Sequence, residues 1–138
     1  MQELFLRAEK TDRPNPENKD LSILIIEDDA VNQLFLETIL SKRNYSLEIA
    51  PDGEEAIELV SALKPDLVLL DIGLPGKSGL DVAEYMKKNQ ELKDIPIICI
   101  TAFRERDIIA SLSALRVNKI LIKPVNTEKI YAAIDYMF

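Results

Sequence analysis

Glu27, Asp28 and Asp29 follow one another, and Asp71, Thr101 and Lys123 stand further along the chain. Each comes at the end of a short, almost continuous apolar run: Leu21-Ser22-Ile23-Leu24-Ile25-Ile26, Leu67-Val68-Leu69-Leu70, Ile95-Pro96-Ile97-Ile98-Cys99-Ile100 and Ile120-Leu121-Ile122. Carboxylates crowded into a low-dielectric crevice repel one another. A hard divalent cation with oxygen ligands removes that repulsion. Magnesium fits best, because it takes one or two carboxylates, keeps waters and accepts phosphate oxygens. Every residue also has a plain structural use. Glu27, Asp28 or Asp29 can cap a following helix, Asp71 can start a turn, the Thr101 hydroxyl can bond backbone, and Lys123 can be a surface charge. Four separate runs delivering these groups to one edge favour chemistry over four unrelated structural uses.

The runs that must position these groups are apolar at successive positions, as in strands buried on both faces of a parallel sheet. A fifth, weaker run, Ser46-Leu47-Glu48-Ile49-Ala50, alternates. Helical spacing fills the gaps. Val31, Leu34, Phe35 and Ile39 mark one helix face, Ala56, Leu59, Val60 and Leu63 a second, and Leu80, Ala83 and Met86 a third. Ile108, Ile109, Leu112 and Leu115 mark a fourth; Ile130, Ala133, Ile134 and Met137 mark a fifth, with Asn126 or Thr127 as N-cap. Strand then helix, five times over, predicts an α/β fold: a three-layer, doubly wound, five-stranded parallel sheet with right-handed crossovers. In such sheets the site lies outside the carboxyl ends of the strands, at the topological switch point.

Length and composition agree. The chain has 138 residues, 47% hydrophobic and 30% charged, which suits one domain with one sizeable core. Its net charge of −7 argues against direct nucleic-acid binding, which wants a basic face. No apolar run reaches the roughly 18 residues of a membrane span, and the first apolar cluster, Leu4-Phe5-Leu6, is too short for a secretory signal. A single cysteine and no histidine exclude an internal disulfide and ordinary zinc sites, and fit a cytoplasmic protein. Cys99 sits within an apolar run and reads as a core thiol, and Phe35, Met86 and Met137 read as core. Residues 1–20 are set apart: Arg13 to Asp20 holds two prolines and no apolar side chain. They are expected to be an N-terminal extension or linker, with a short helix over Glu3 to Lys10, ahead of a domain over residues 21–138.

On these residues the segment from Leu21 to Phe138 resembles the receiver domain of two-component response regulators. The matching elements are Ile25-Ile26-Glu27-Asp28-Asp29, Val68-Leu69-Leu70-Asp71-Ile72-Gly73-Leu74-Pro75 with Gly79, Ile100-Thr101-Ala102, and Lys123-Pro124. Glu27 to Gln33 and Lys123 to Asn126 are most similar to receivers of hybrid sensor kinases. The resemblance implies a flavodoxin-like sheet in the order 2-1-3-4-5. It implies that Asp71 is the phosphoacceptor, that Asp28 ligates magnesium directly and Glu27 through water, and that the Gly73 carbonyl completes the metal site. Asp29 matches no ligand. It further implies that Thr101 is the switch hydroxyl, that Lys123 pairs with the phosphoryl group, and that Pro124 follows a cis peptide. Ala102 is small and leaves room beside Thr101. The implied function is a phosphorelay step in which a phosphohistidine donor phosphorylates Asp71 and partner binding changes. Two charge-assisted hydrogen bonds, at roughly 1.5–3 kcal/mol each, approach the roughly 5.5 kcal/mol that inverts a 1:99 equilibrium. A local rearrangement after the fourth strand is therefore expected.

Three departures stand out. Ile120 replaces the family's usual aromatic residue, Arg116-Val117 its usual Gly-Ala, and Gly73 and Phe103 occupy positions that tune acyl-phosphate hydrolysis. The implied partners are a sensor histidine kinase or a histidine phosphotransfer protein, with a homodimer also open; Tyr131 and Tyr136 with Lys119 are candidates for a partner surface. The competing reading within the fold is a binding module that is never phosphorylated. An enzyme is less well matched. A haloacid dehalogenase-like phosphatase needs an acid two residues after its nucleophile, where Gly73 stands, and acids after the first strand would repel a flavin phosphate.

Overall fold

The computed structural model describes residues 21–73, 78–102 and 106–138. The expected extension and helix before Leu21, residues 74–77 and Phe103 lie outside the described residues. Among the described residues strands and helices alternate: β1 (Ser22–Ile26), α1 (Ala30–Ser41), β2 (Ser46–Ala50), α2 (Gly53–Leu63), β3 (Leu67–Asp71), α3 (Gly79–Lys87), β4 (Ile97–Thr101), α4 (Arg106–Ala114), β5 (Lys119–Ile122) and α5 (Thr127–Met137). The sheet is parallel throughout, in the order β2-β1-β3-β4-β5.

Side-chain parity sorts the strand residues into two cores, because successive residues of a strand point to opposite faces. Ile23, Ile25, Leu67, Leu69, Ile98 and Ile100 pack under α1 and α5; Leu24, Ile26, Val68, Leu70, Ile97 and Cys99 pack under α2, α3 and α4. Continuous apolar runs thus give strands buried on both faces in β1, β3 and β4, as the sequence predicts, whereas the run Ile120 to Ile122 lies in the edge strand β5 and is only half-buried. Helices α1, α2, α3 and α5 begin on side-chain caps: Asp29 accepts from Asn32 N–H, Asp52 from Glu55 N–H, Ser78 from Asp81 N–H and Asn126 from Lys129 N–H.

Two expectations are corrected. The face of α1 that meets the core is Leu36, Ile39 and Leu40, whereas Val31 is 74% and Leu34 64% exposed. Two apolar stripes run along this helix, both at helical spacing, so periodicity alone cannot choose between them. The aromatic pair on α5 is also split. Tyr131 turns toward α1, where its hydroxyl donates to the Ile39 carbonyl and its ring lies 4.4 Å from the Arg43 guanidinium carbon, while Arg43 is bound to Asp135 at 2.7 Å. Only Tyr136 shares a groove with Lys119, along the outer edge of β5.

Candidate functional site

Register brings the candidate residues together. Ile26 pairs with Leu70, so the next residues, Glu27 and Asp71, stand side by side at the carboxyl ends of β1 and β3. Asp71 pairs with Ile100 and Thr101 with Ile122, which brings Thr101 and Lys123 to the same edge. β1 sits between β2 and β3 in the sheet, so the chain winds away from it in both directions and leaves a crevice there.

Glu27, Asp28 and Asp71 each offer a carboxylate oxygen, and these oxygens lie within 4.8 Å of one another. Glu27 and Asp71 are buried and Asp28 is exposed. The Lys123 Nζ lies 3.9 Å from Asp71 Oδ2, which is an ion pair and not a hydrogen bond. The Lys123–Pro124 peptide is cis. Thr101 is fully buried, and its carbonyl accepts from Lys123 N–H at 2.8 Å, tying the ends of β4 and β5 together. Gly73 donates its N–H to Asp71 Oδ1 at 3.2 Å, so Asp71 also shapes the turn that follows it. The third acid of the run goes elsewhere: Asp29 caps α1, accepting from Asn32 N–H at 2.9 Å.

Burial is the main reason the Glu27 carboxyl sits above its ordinary range, and the Asp71 charge pushes the same way. The Asp29 N–H, the Lys123 ammonium and the Asn32 side chain pull it back. A buried acid beside a second acid is the arrangement that a cation relieves. The donor set is all oxygen and anionic, which suits a hard divalent ion and excludes the soft ligation of zinc or copper among these groups.

A cavity of about 390 Å³ opens beside the cluster, lined by Glu27, Asn32, Phe35, Leu36, Lys123, Pro124 and Val125. Phe35, expected in the core, is therefore also a wall of this cavity. Asn32 and Gln33 have no individual role in the sequence reading. The signal for them is positional, since the first turn of a helix lies over the strand end before it, and Gln33 Nε2 donates to the Glu27 carbonyl at 2.7 Å. Gly79 has a packing reason to be glycine. A Cβ there would fall 2.5 Å from Ile72 Cα and strike the Asp71 carbonyl, in the turn that carries the acid. Cys99 is fully buried, and desolvation pushes its thiol up to about 12, so it is an unreactive core group.

A doubly wound sheet with paired carboxylates and a lysine at its switch point is the architecture of a receiver. The response regulator receiver domain model matches residues 23–135, and the chain belongs to that family. Among curated relatives, the polar-differentiation response regulator DivK of Brucella anthropi is 38% identical over 82 residues, covering 59% of this chain and 67% of the relative. The DivK protein of Brucella ovis matches equally over 82 residues. Among solved structures, the Vibrio cholerae chemotaxis protein CheY4 superposes with a TM-score of 0.80 at 20% identity, over 86% of this chain and 99% of that one. The receiver domain of the Pseudomonas aeruginosa sensor histidine kinase PA1611, solved with a magnesium ion coordinated in its active-site cleft, superposes with a TM-score of 0.78 at 24% identity, over 85% of this chain and 96% of that one. At these identities the superpositions establish the fold, which is flavodoxin-like.

Proposed function

We propose that this receiver domain accepts a phosphoryl group on Asp71 from a phosphohistidine of a sensor kinase or histidine phosphotransfer protein. A carboxylate oxygen of Asp71 attacks phosphorus, the phosphorus–nitrogen bond breaks, and the imidazole leaves and takes up a proton. The product is an acyl phosphate. Glu27, Asp28 and Asp71, with the Gly73 carbonyl, are the groups that hold Mg²⁺ in this reading. When bound, the ion supplies positive charge against the phosphoryl oxygens and cancels repulsion among the acids. Lys123 offers its ammonium from the other side of Asp71, and the Thr101 hydroxyl is the donor that follows the phosphoryl group once it is transferred. Catalysis here is positioning and charge neutralisation, and the chain acts as a switch and not as a metabolic enzyme. The segment between β4 and α4 is the element that responds. Residues 1–20 form an extension or linker outside the receiver. The protein works in the cytoplasm; no described helix is long and apolar enough to cross a membrane.

The observation that carries this reading is the meeting of three carboxylates within 4.8 Å with an ammonium 3.9 Å from one of them. The magnesium ion in the cleft of the Pseudomonas receiver domain supports it. The test is intact-protein mass spectrometry after incubation with acetyl phosphate and Mg²⁺. A labile phosphoryl adduct is expected on the wild type, absent from Asp71→Asn and absent when EDTA replaces Mg²⁺. A stable adduct, or an equal one on Asp71→Asn, refutes it. Sizing with and without beryllofluoride then separates phosphorylation-driven homodimerisation from binding of another protein.

A further inference from the structure

Two acids of the site, Glu27 and Asp28, hang on a turn of only three residues between β1 and α1, and one of them, Asp28, is exposed. No packing against the core holds its direction. What fixes it is the orientation of the peptide planes on either side, since a planar peptide leaves only the flanking dihedrals free. The carbonyl before Asp28 belongs to Glu27, and its partner is the Gln33 side chain, whose Nε2 donates at 2.7 Å. A carbonyl only accepts, so the amide must present its nitrogen there. The Gln33 N–H also donates to the Asp29 carbonyl at 2.9 Å, one peptide beyond Asp28, while the peptide directly after Asp28 is held through its Asp29 N–H by the Glu27 carboxylate. One residue of α1 thus grips both ends of the segment that carries Asp28. Glu27 is pinned separately: its N–H donates to the Ala50 carbonyl at 3.0 Å and its carboxylate accepts from Asp29 N–H at 3.1 Å.

We infer that Gln33 is a positioning residue for the metal site: its amide locks the Glu27–Asp28 peptide plane and so presents Asp28 beside Glu27 and Asp71. This rests on the reading of the acid cluster as a Mg²⁺ site. Magnesium demands near-octahedral geometry and tolerates little drift in its oxygens. Groups that orient metal ligands from outside typically cost 10–100-fold in affinity when removed, and one bond of this kind places the effect at about tenfold. Gln33 makes no contact with Asp71, Thr101 or Lys123 among the described hydrogen bonds. The phosphoryl-accepting step at saturating metal should therefore be left intact.

The test uses Gln33→Met, which keeps the side-chain length and removes the donor, and Gln33→Asn, which stays polar but falls short. Calorimetric titration of the whole chain with MgCl₂ is expected to show a dissociation constant raised about tenfold in both. In metal-free protein, hydrogen exchange at the Asp28 and Asp29 amides should quicken. Labelling of Asp71 by acetyl phosphate should need more Mg²⁺ for half-maximal rate, while the rate at saturating Mg²⁺ stays within about twofold of wild type. Asn118→Ala serves as a control. It removes a side-chain acceptor for Ile97 N–H, 2.9 Å away at the opposite end of the sheet, and should leave Mg²⁺ affinity unchanged. Wild-type Mg²⁺ affinity in the Gln33 variants overturns the positioning role, as does an equal loss in Asn118→Ala. A wild-type chain that takes up no Mg²⁺ overturns the metal-site reading itself, and the inference with it.

Discussion

Replacing Glu27 by glutamine removes a charge from the site while keeping the length and one acceptor oxygen for the Asp29 N–H. Glu27 is 3% exposed, and both burial and the neighbouring Asp71 charge hold its carboxyl above the ordinary value of 4.5. A carboxyl raised by folding keeps its proton longer in the folded chain than in the unfolded one. Stability therefore falls as pH rises from the ordinary value through the raised one, and the penalty is present in full above it. Its size follows from the geometry. Two unit charges 4.8 Å apart, the outer limit for the cluster's oxygens, repel by about 3 kcal/mol at an effective dielectric of about 20. The Lys123 ammonium, the Asp29 N–H and Asn32 return part of this, which leaves a relief of about 1–2 kcal/mol in Glu27→Gln. For a domain of this size that is a rise of about 3–8 °C in Tm. Thermal and urea unfolding in EDTA near neutral pH measures it, and the difference from wild type should close below the ordinary carboxyl value of 4.5. Magnesium should then work against the variant. At about 100 times its dissociation constant a ligand adds about 2.7 kcal/mol to the folded state, and a chain with one acid fewer gains less. The two stabilities should converge or cross as Mg²⁺ is added. A metal-free variant less stable than wild type by about 1 kcal/mol, beyond the scatter of surface substitutions, or one that gains as much from Mg²⁺ as wild type, refutes the charge-crowding argument.

Other outcomes follow from the same geometry. Val31→Ser with Leu34→Ser changes exposed side chains on the helix that walls the cavity, so stability and labelling by acetyl phosphate should hold, within about 0.5 kcal/mol and twofold respectively. Gly79→Ala drives a Cβ into Ile72 and the Asp71 carbonyl, and should cost about 1–3 kcal/mol in urea unfolding and slow Asp71 labelling. Arg116 has φ 64°, in the left-handed region. Arg116→Gly should stabilise by about 0.5–1 kcal/mol, the steric relief less the greater entropy glycine has when unfolded.

The parts of the molecule that were legible in the sequence are those where residue type and order alone determine the outcome. Strand residues that are apolar at every position have only one home, a sheet covered on both faces, and Ile23 to Ile26, Leu67 to Leu70 and Ile97 to Ile100 all lie there. Asp71, Thr101 and Lys123 share an edge because each ends a strand of a parallel sheet, and parallel strands end on the same side. Strand order was not legible in this way; it came with the family resemblance, since periodicity carries no record of which strands are neighbours. The three acids after β1 show the limit most clearly. Glu27, Asp28 and Asp29 are interchangeable by charge; the family resemblance alone sets Asp29 apart, and the path of the backbone supplies the physical reason, taking Asp29 to the α1 cap and the other two to Asp71. The buried stripe of α1 eludes the sequence for a related reason. Val31 and Leu34 match the helical period as well as Leu36 and Leu40 do, and the choice depends on the angle at which the helix settles on the sheet. Gln33 lay beyond reach altogether, because a glutamine on a helix is unremarkable until its carbonyl partner is known. What escapes the sequence here is therefore not which side chains meet at the site but what supports them, and on the proposed reading a bond such as that from Gln33 to the Glu27 carbonyl is where Mg²⁺ affinity would change while Asp71, Thr101 and Lys123 stay the same.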